Sequence, residues 1–157
     1  MSTVIGTFQS RDEAEQAVNQ LRDRGFTEDE ISIVARDEGR TDGGGEMGNN
    51  ADGSTGATWG GVLGGAAGLL AGIGAITIPG IGPIVAAGPL AAALTGAAGG
   101  GLAGGLLDMG IPNDRGEYYE GEVKKGRVLA AVETDSEMVE EAAQVLREFG
   151  ASDVEVH

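Results

Sequence analysis

The chain has 157 residues and a formal net charge of −15, from 25 acidic and 10 basic residues. This balance argues against nucleic acid as a partner, because nucleic-acid binding depends on cationic contacts to phosphate. The chain has no cysteine, which excludes disulfides, thiolate metal sites and thiol nucleophiles.

Residues 1–36 have the pattern of a β-α-β unit. A first strand over 3–8 precedes a helix that Ser10 caps and that ends at Gly25. A second strand over 30–35 alternates its apolar residues inward. Residues 37–56 are polar and rich in Gly and Asp without periodicity, which predicts a flexible linker.

Residues 57–107 are predicted to form a glycine-rich hydrophobic helical hairpin. The 55 residues from Gly53 to Leu107, here called the uncharged block, contain no Asp, Glu, Lys or Arg. Glycines recur in it every four residues, which places them on one helical face and allows close helix packing, as in a glycine zipper. The predicted packing residues are Gly60, Gly64, Gly68, Gly72, Gly96, Gly100 and Gly104.

Two segments of the block have the length of a membrane span, Trp59–Ile78 and Pro89–Leu107. The predicted hairpin turn between them contains Pro79, Gly80, Gly82 and Pro83. The first segment contains seven glycines, which would cost a water-exposed helix about 7 kcal/mol relative to alanine. The hairpin is therefore expected to be shielded, either by lipid or by copies of itself.

Residues 108–126 are predicted to form a connector helix, and residues 127–157 a second β-α-β unit. The connector carries Tyr118 and Tyr119, which together with Trp59 are candidate anchors at a membrane interface. Because the two terminal units repeat each other, the predicted fold is α+β and ferredoxin-like, with two helices on one face of a four-stranded antiparallel sheet. The hairpin would then be an insertion that splits the two halves.

No constellation of catalytic residues is visible. The one histidine, His157, is the terminal residue, and no cluster of partner side chains surrounds it in the sequence. The helical carboxylates have the spacing of solvated surface residues. The sequence thus predicts a non-enzymatic protein with no cofactor and no metal site.

Several motifs are similar to those of bacterial general stress proteins of the heat-induced or low-temperature-induced type, which carry a domain named after general stress protein 17M. They are the opening residues 4–8, the run 78–94 with its Ile-Pro-Gly-Ile-Gly-Pro segment, Gly110-Ile111-Pro112, and 119–129. The resemblance implies a stress-associated ferredoxin-like fold interrupted by a glycine-rich segment, and it supplies no catalytic residues. Arg115-Gly116 departs from the acidic-Ala pair expected there, so a less regular helix is expected.

The leading functional hypothesis is a stress-response protein that self-assembles, associates with the membrane, or does both, through the glycine-zipper hairpin. Its expected partners are copies of itself and the lipid bilayer. The expected location is the cytoplasmic membrane with the domain facing the cytoplasm, or else the cytoplasm. Two alternatives are a soluble homo-oligomeric scaffold whose hairpins form a shared core, and a small-ligand sensor that uses the sheet face of the ferredoxin-like half.

Overall fold

The computed structural model describes residues 1–36, 74–78, 81–96 and 101–157. The predicted linker over 37–56 and most of the first predicted span lie outside these ranges. The described elements are β1 (Ser2–Phe8), α1 (Arg11–Asp23), β2 (Ile31–Arg36), β3 (Gly74–Ile78), β4 (Gly82–Ala87), α2 (Pro89–Gly96), α3 (Gly101–Asp108), α4 (Asn113–Lys124), β5 (Val128–Thr134), α5 (Val139–Glu148) and β6 (Ser152–Val156).

The strands form one antiparallel sheet in the order β3-β4-β2-β5-β1-β6. The two terminal β-α-β units interlace in it, because β5 lies between β1 and β2. Ala131 of β5 faces Ile5 of β1 on one side and Ser32 of β2 on the other. The protein is therefore α+β, as predicted.

One face of the sheet packs against α1 and α5, as the helical periodicity predicts. This first core is anchored by Phe8 and Leu21, both fully buried, and by Leu146 of α5. Ser10 caps α1 as predicted, accepting a hydrogen bond from the Glu13 amide at 3.3 Å. Glu30, the residue before β2, accepts hydrogen bonds from the Thr27 amide and the Thr134 hydroxyl. The bond from the Thr27 amide is the main reason that the pKa of Glu30 is lowered.

The other face of the sheet is also covered, which corrects the expectation of helices on one face only. Its second core brings Ile5, Val34 and Leu129 of the sheet together with side chains from α2, α3 and α4. A strand that is buried on both faces has a continuous apolar run instead of an alternating one. The segments Ile-Ser-Ile-Val-Ala and Val-Leu-Ala-Ala-Val of β2 and β5 have this character. The sheet face assigned to a small ligand in the sensor hypothesis is thus occupied by helices.

Part of the predicted helical hairpin is a β-hairpin. Residues 74–78 and 82–87 form β3 and β4, where the end of a helix and a turn were expected. Ile78 faces Gly82, so the chain reverses between them and joins two strands. The β-branched residues of both segments favour extended backbone, a local preference that the glycine spacing obscured.

The second predicted span, Pro89–Leu107, covers α2 and all of α3 except Asp108, and each of these helices has eight residues. An eight-residue helix is about 12 Å long. Among the described residues, no helix has both the length and the apolar character needed to cross a bilayer.

Candidate functional site

The predicted glycine-packing face lies mostly outside the described residues, and its role stays a prediction. Gly60, Gly64, Gly68, Gly72 and Gly100 are outside, as are Trp59, Pro79 and Gly80. Gly96 is the last residue of α2, and Gly104 lies half-buried in α3. Gly82 and Pro83 begin β4.

Two other glycines make the close helix contacts of the second core. A Cβ on Gly105 of α3 would lie 3.0 Å from Leu94 Cδ2 of α2, and a Cβ on Gly116 of α4 would lie 3.2 Å from the Ala103 backbone of α3. These glycines allow α2, α3 and α4 to pack side by side. The Arg115-Gly116 pair, expected to make the helix irregular, instead lies in one continuous helix.

The junction between β4 and α2 is set by Gly88. Its φ is +85°, and a Cβ there would lie 2.1 Å from the Ile31 carbonyl oxygen of β2. The buried Ser32 hydroxyl accepts a hydrogen bond from the Leu90 amide at 3.0 Å, which satisfies one of the free N–H groups at the start of α2. The uncharged block is therefore attached to the central part of the sheet.

Two neighbouring tyrosines on α4 have different environments. Tyr119 is fully buried in the second core, and its hydroxyl donates to the Asp153 carbonyl oxygen at 2.6 Å. Tyr118 is 37 % exposed and donates to Asp153 Oδ2 at 2.5 Å. Tyr119 is thus a packing residue in this structure, whereas Tyr118 lies at the surface, and the role of the tyrosines as anchors stays a prediction.

Arg115 extends this contact into a polar cluster on β6. Its guanidinium makes a bidentate ion pair with Glu155, in which the Nε–Oε2 distance is 2.9 Å, and it lies 4.6 Å from the centre of the Tyr118 ring. His157 Nε2 lies 2.9 Å from Glu155 Oε2. Bidentate geometry and stacking on an aromatic ring are features that arginine provides and lysine does not. The cluster clamps α4 to β6.

The pKa shifts in the cluster reflect these contacts. Burial acts to raise the pKa of Glu155, but hydrogen bonds from Arg115 and His157 outweigh it, and the pKa is lowered. Burial, reinforced by the Glu155 charge, raises the pKa of Tyr119. The tyrosine hydroxyls therefore stay protonated as donors while Glu155 stays ionised. These groups are paired with one another, so the cluster has the chemistry of a structural clamp.

The two edges of the sheet differ in chemistry. The β6 edge carries Asp153 and Glu155, and Asp153 has a φ of +54°, unusual for a residue other than glycine. The β1–β6 register also shifts between Ile5 and Thr7. The other edge is β3, with the uncharged sequence Gly-Ala-Ile-Thr-Ile. Charges and irregular backbone protect an edge strand from pairing with another chain, and in the described residues only the β6 edge has them.

Glu15 of α1 is a buried carboxylate with an unsatisfied oxygen. Glu15 is 8 % exposed, and its Oε1 atom has no hydrogen-bond partner among the described residues. Burial raises the pKa of Glu15, Asp12 adds to the rise, and Arg11 opposes it. A carboxyl with a raised pKa in the folded state favours folding when protonated, and this contribution is lost as the pH rises through the folded pKa.

We therefore expect Glu15→Gln to stabilise the protein at pH 7 to 8 by about 1 kcal/mol, because it removes a buried charge. The gain should shrink as the pH falls toward 4.5, the ordinary value for this carboxyl. Urea unfolding at several pH values measures it, with the exposed Glu137→Gln as a control. A variant less stable than the parent at pH 8 would show that the Glu15 charge is compensated.

A protein-family model matches the N-terminal part of the chain. The model of the heat induced stress protein YflT domain matches residues 3–77. The resemblance to bacterial general stress proteins is thereby confirmed over this segment. Searches of curated proteins and of solved structures gave no match.

The YflT match runs from β1 to the fourth residue of β3. It contains α1 and β2 but not β5, the strand between β1 and β2 in the sheet. In the described sheet, β1 and β2 do not pair with each other, and each of them pairs with β5. The YflT-matching segment therefore depends on the C-terminal half of this chain to complete its sheet.

Proposed function

We propose that this chain is a non-enzymatic bacterial stress-response protein that associates with copies of itself through the uncharged block. The match to the YflT domain supports the stress-response role. We assign strands β2, β5, β1 and β6, with α1 and α5, to the ferredoxin-like plan, whose strand order they have. The uncharged block adds β3, β4, α2 and α3 to this unit.

The observation that supports self-association is the separation of charge along the chain. All 25 acidic and 10 basic residues lie outside the uncharged block. Within the described structure, β3, β4 and α2 therefore form an uncharged end beyond β2, whereas α1, α4 and α5 are charged. Two copies with a net charge of −15 repel each other, and contact through the uncharged end keeps their charges furthest apart.

We expect the protein to sediment as a concentration-dependent oligomer. Association should strengthen as salt is raised from 10 to 150 mM, because the Debye length falls from about 30 Å to about 8 Å and the net repulsion is screened. Sedimentation equilibrium at several protein concentrations measures both effects. A monomer at every concentration and salt level would overturn the proposal.

The glycine face provides a variant test of the same proposal. Gly64→Leu combined with Gly100→Leu should reduce association at least tenfold if helices pack closely through these positions, as small-residue faces do. The matched control is Gly121→Leu on α4, where an added Cβ would have no atom within 4 Å. Flotation with lipid vesicles is run in parallel. If the protein floats with the vesicles as a monomer, membrane binding replaces self-association as the proposed function.

A further inference from the structure

We infer that the edge strand β3 pairs with β3 of a second copy, antiparallel and across a two-fold axis, so that the two sheets become continuous. The inference rests on the proposed self-association and names the surface that carries it. In the described part of the chain β3 pairs on one side, with β4, and forms one end of the sheet. A strand in that position presents a row of backbone donors and acceptors on its other side.

A second copy is the occupant that the charge distribution favours. A two-fold contact joins the same surface of both copies, so a surface whose charges are all of one sign would repel its own copy. Strands β3 and β4 and helix α2 contain no charged side chain. An uncharged surface suits self-pairing better than it suits a charged partner, because it offers no complementary ion pairs.

The opposite edge does not offer this pairing. Asp153 and Glu155 on β6 would meet the same carboxylates of a second copy, and the Asp153 backbone departs from regular strand geometry. The Arg115 clamp also holds Glu155 at this edge. Association through β3 is therefore favoured over association through β6. In a symmetric dimer the β3 strands of the two copies pair with each other, so no β3 edge is left to bind a third copy.

The register of the symmetric pair follows from the length of β3. Five residues related by a two-fold axis place Ile76 opposite Ile76 of the second copy, and Ala75 opposite Thr77. Within the chain, position 76 faces the fully buried Ile84, whereas positions 75 and 77 face Val85 and Pro83. Positions 75 and 77 are therefore the ones to change for blocking the edge.

The first test introduces lysine at the edge, as natural edge strands do. Ala75→Lys with Thr77→Lys should weaken dimerisation at least a hundredfold in sedimentation equilibrium. The control with the same added charge is Gln16→Lys with Asn19→Lys, both exposed on α1, which should leave the dimer intact. A lysine variant that dimerises like the control would overturn the inference.

The second test measures whether position 76 lies beside position 76 of the second copy, and it leaves the β3 pairing intact. The chain has no cysteine, so Ile76→Cys introduces a single thiol at the proposed two-fold axis. Directly opposed strand residues have Cα atoms about 4.5–5.5 Å apart, within the range that a disulfide spans. Mild oxidation with diamide should link Ile76→Cys into covalent dimers, while Asn19→Cys should remain unlinked.

The outcomes separate the inference from the proposed function. Covalent dimers at position 76 together with monomeric edge-lysine variants support the symmetric β3 pair. An oligomeric parent without linkage at 76 overturns the symmetric pair and leaves self-association in place. A parent that is monomeric at all concentrations and unlinked at 76 overturns both. Far-UV circular dichroism of each variant verifies that the sheet is retained.

Discussion

Gly88→Ala is expected to destabilise the protein by roughly 3 kcal/mol or more, from the cost of a left-handed conformation and of forcing an atom into a packed region. The φ of Gly88 is +85°, and the new Cβ would lie 2.1 Å from the Ile31 carbonyl oxygen. Because that oxygen belongs to backbone in the centre of the sheet, the junction must move. Urea unfolding measures the loss.

The matched control for this effect is Gly110→Ala. Gly110 has a φ of +86°, almost the same as Gly88, but an added Cβ there has no atom within 4 Å. We expect it to cost only the conformational part, about 1–2 kcal/mol. The difference between the two variants isolates the contact with β2. Equal losses would mean that α2 and β4 shift away from β2 at little cost.

The second large effect is the failure of the YflT-matching segment to fold by itself. A fragment of residues 1–78 contains β1 and β2 without β5, which pairs with both of them. A fragment of residues 81–157 contains β5 and β6 without β1, which lies between them. Each fragment alone should lack a cooperative unfolding transition. The first core would be exposed in it, and its strands would lack the neighbours with which they pair in the sheet.

Mixing the two fragments should restore the sheet signal in far-UV circular dichroism and a cooperative transition, because together they contain every described strand. The positive control is the intact chain at the same concentration. Cooperative unfolding of residues 1–78 alone would show that β1 and β2 find another pairing, and that the interlaced sheet is not required for the domain.

Much of the fold could be predicted from local patterns. Ser10 and Gly25 mark the ends of the first helix, and the repeat of the terminal β-α-β units indicates an antiparallel α+β sheet. Asn113–Lys124 is a helix. These features are readable because caps and apolar periodicity act over a few residues.

The candidate site was less accessible to sequence reasoning. Gly105 and Gly116 make the described helix contacts, whereas the four-residue spacing indicated Gly96, Gly100 and Gly104. Tyr119 is buried in the second core, and its hydroxyl donates to the Asp153 carbonyl oxygen, 34 residues away. A tyrosine pair has the same sequence pattern whether it lies at a membrane interface or in a core, so only its tertiary partners distinguish the two.

The sequence by itself determined the two terminal units, the capped first helix and the separation of an uncharged block from charged flanks. Only the tertiary structure decided that α2 and α3 cover the second face of the sheet, through Leu90 and Leu106. It also decided that residues 74–78 form an edge strand. The physical reason is that glycine and alanine are compatible with several environments, and contacts distant in sequence choose between them.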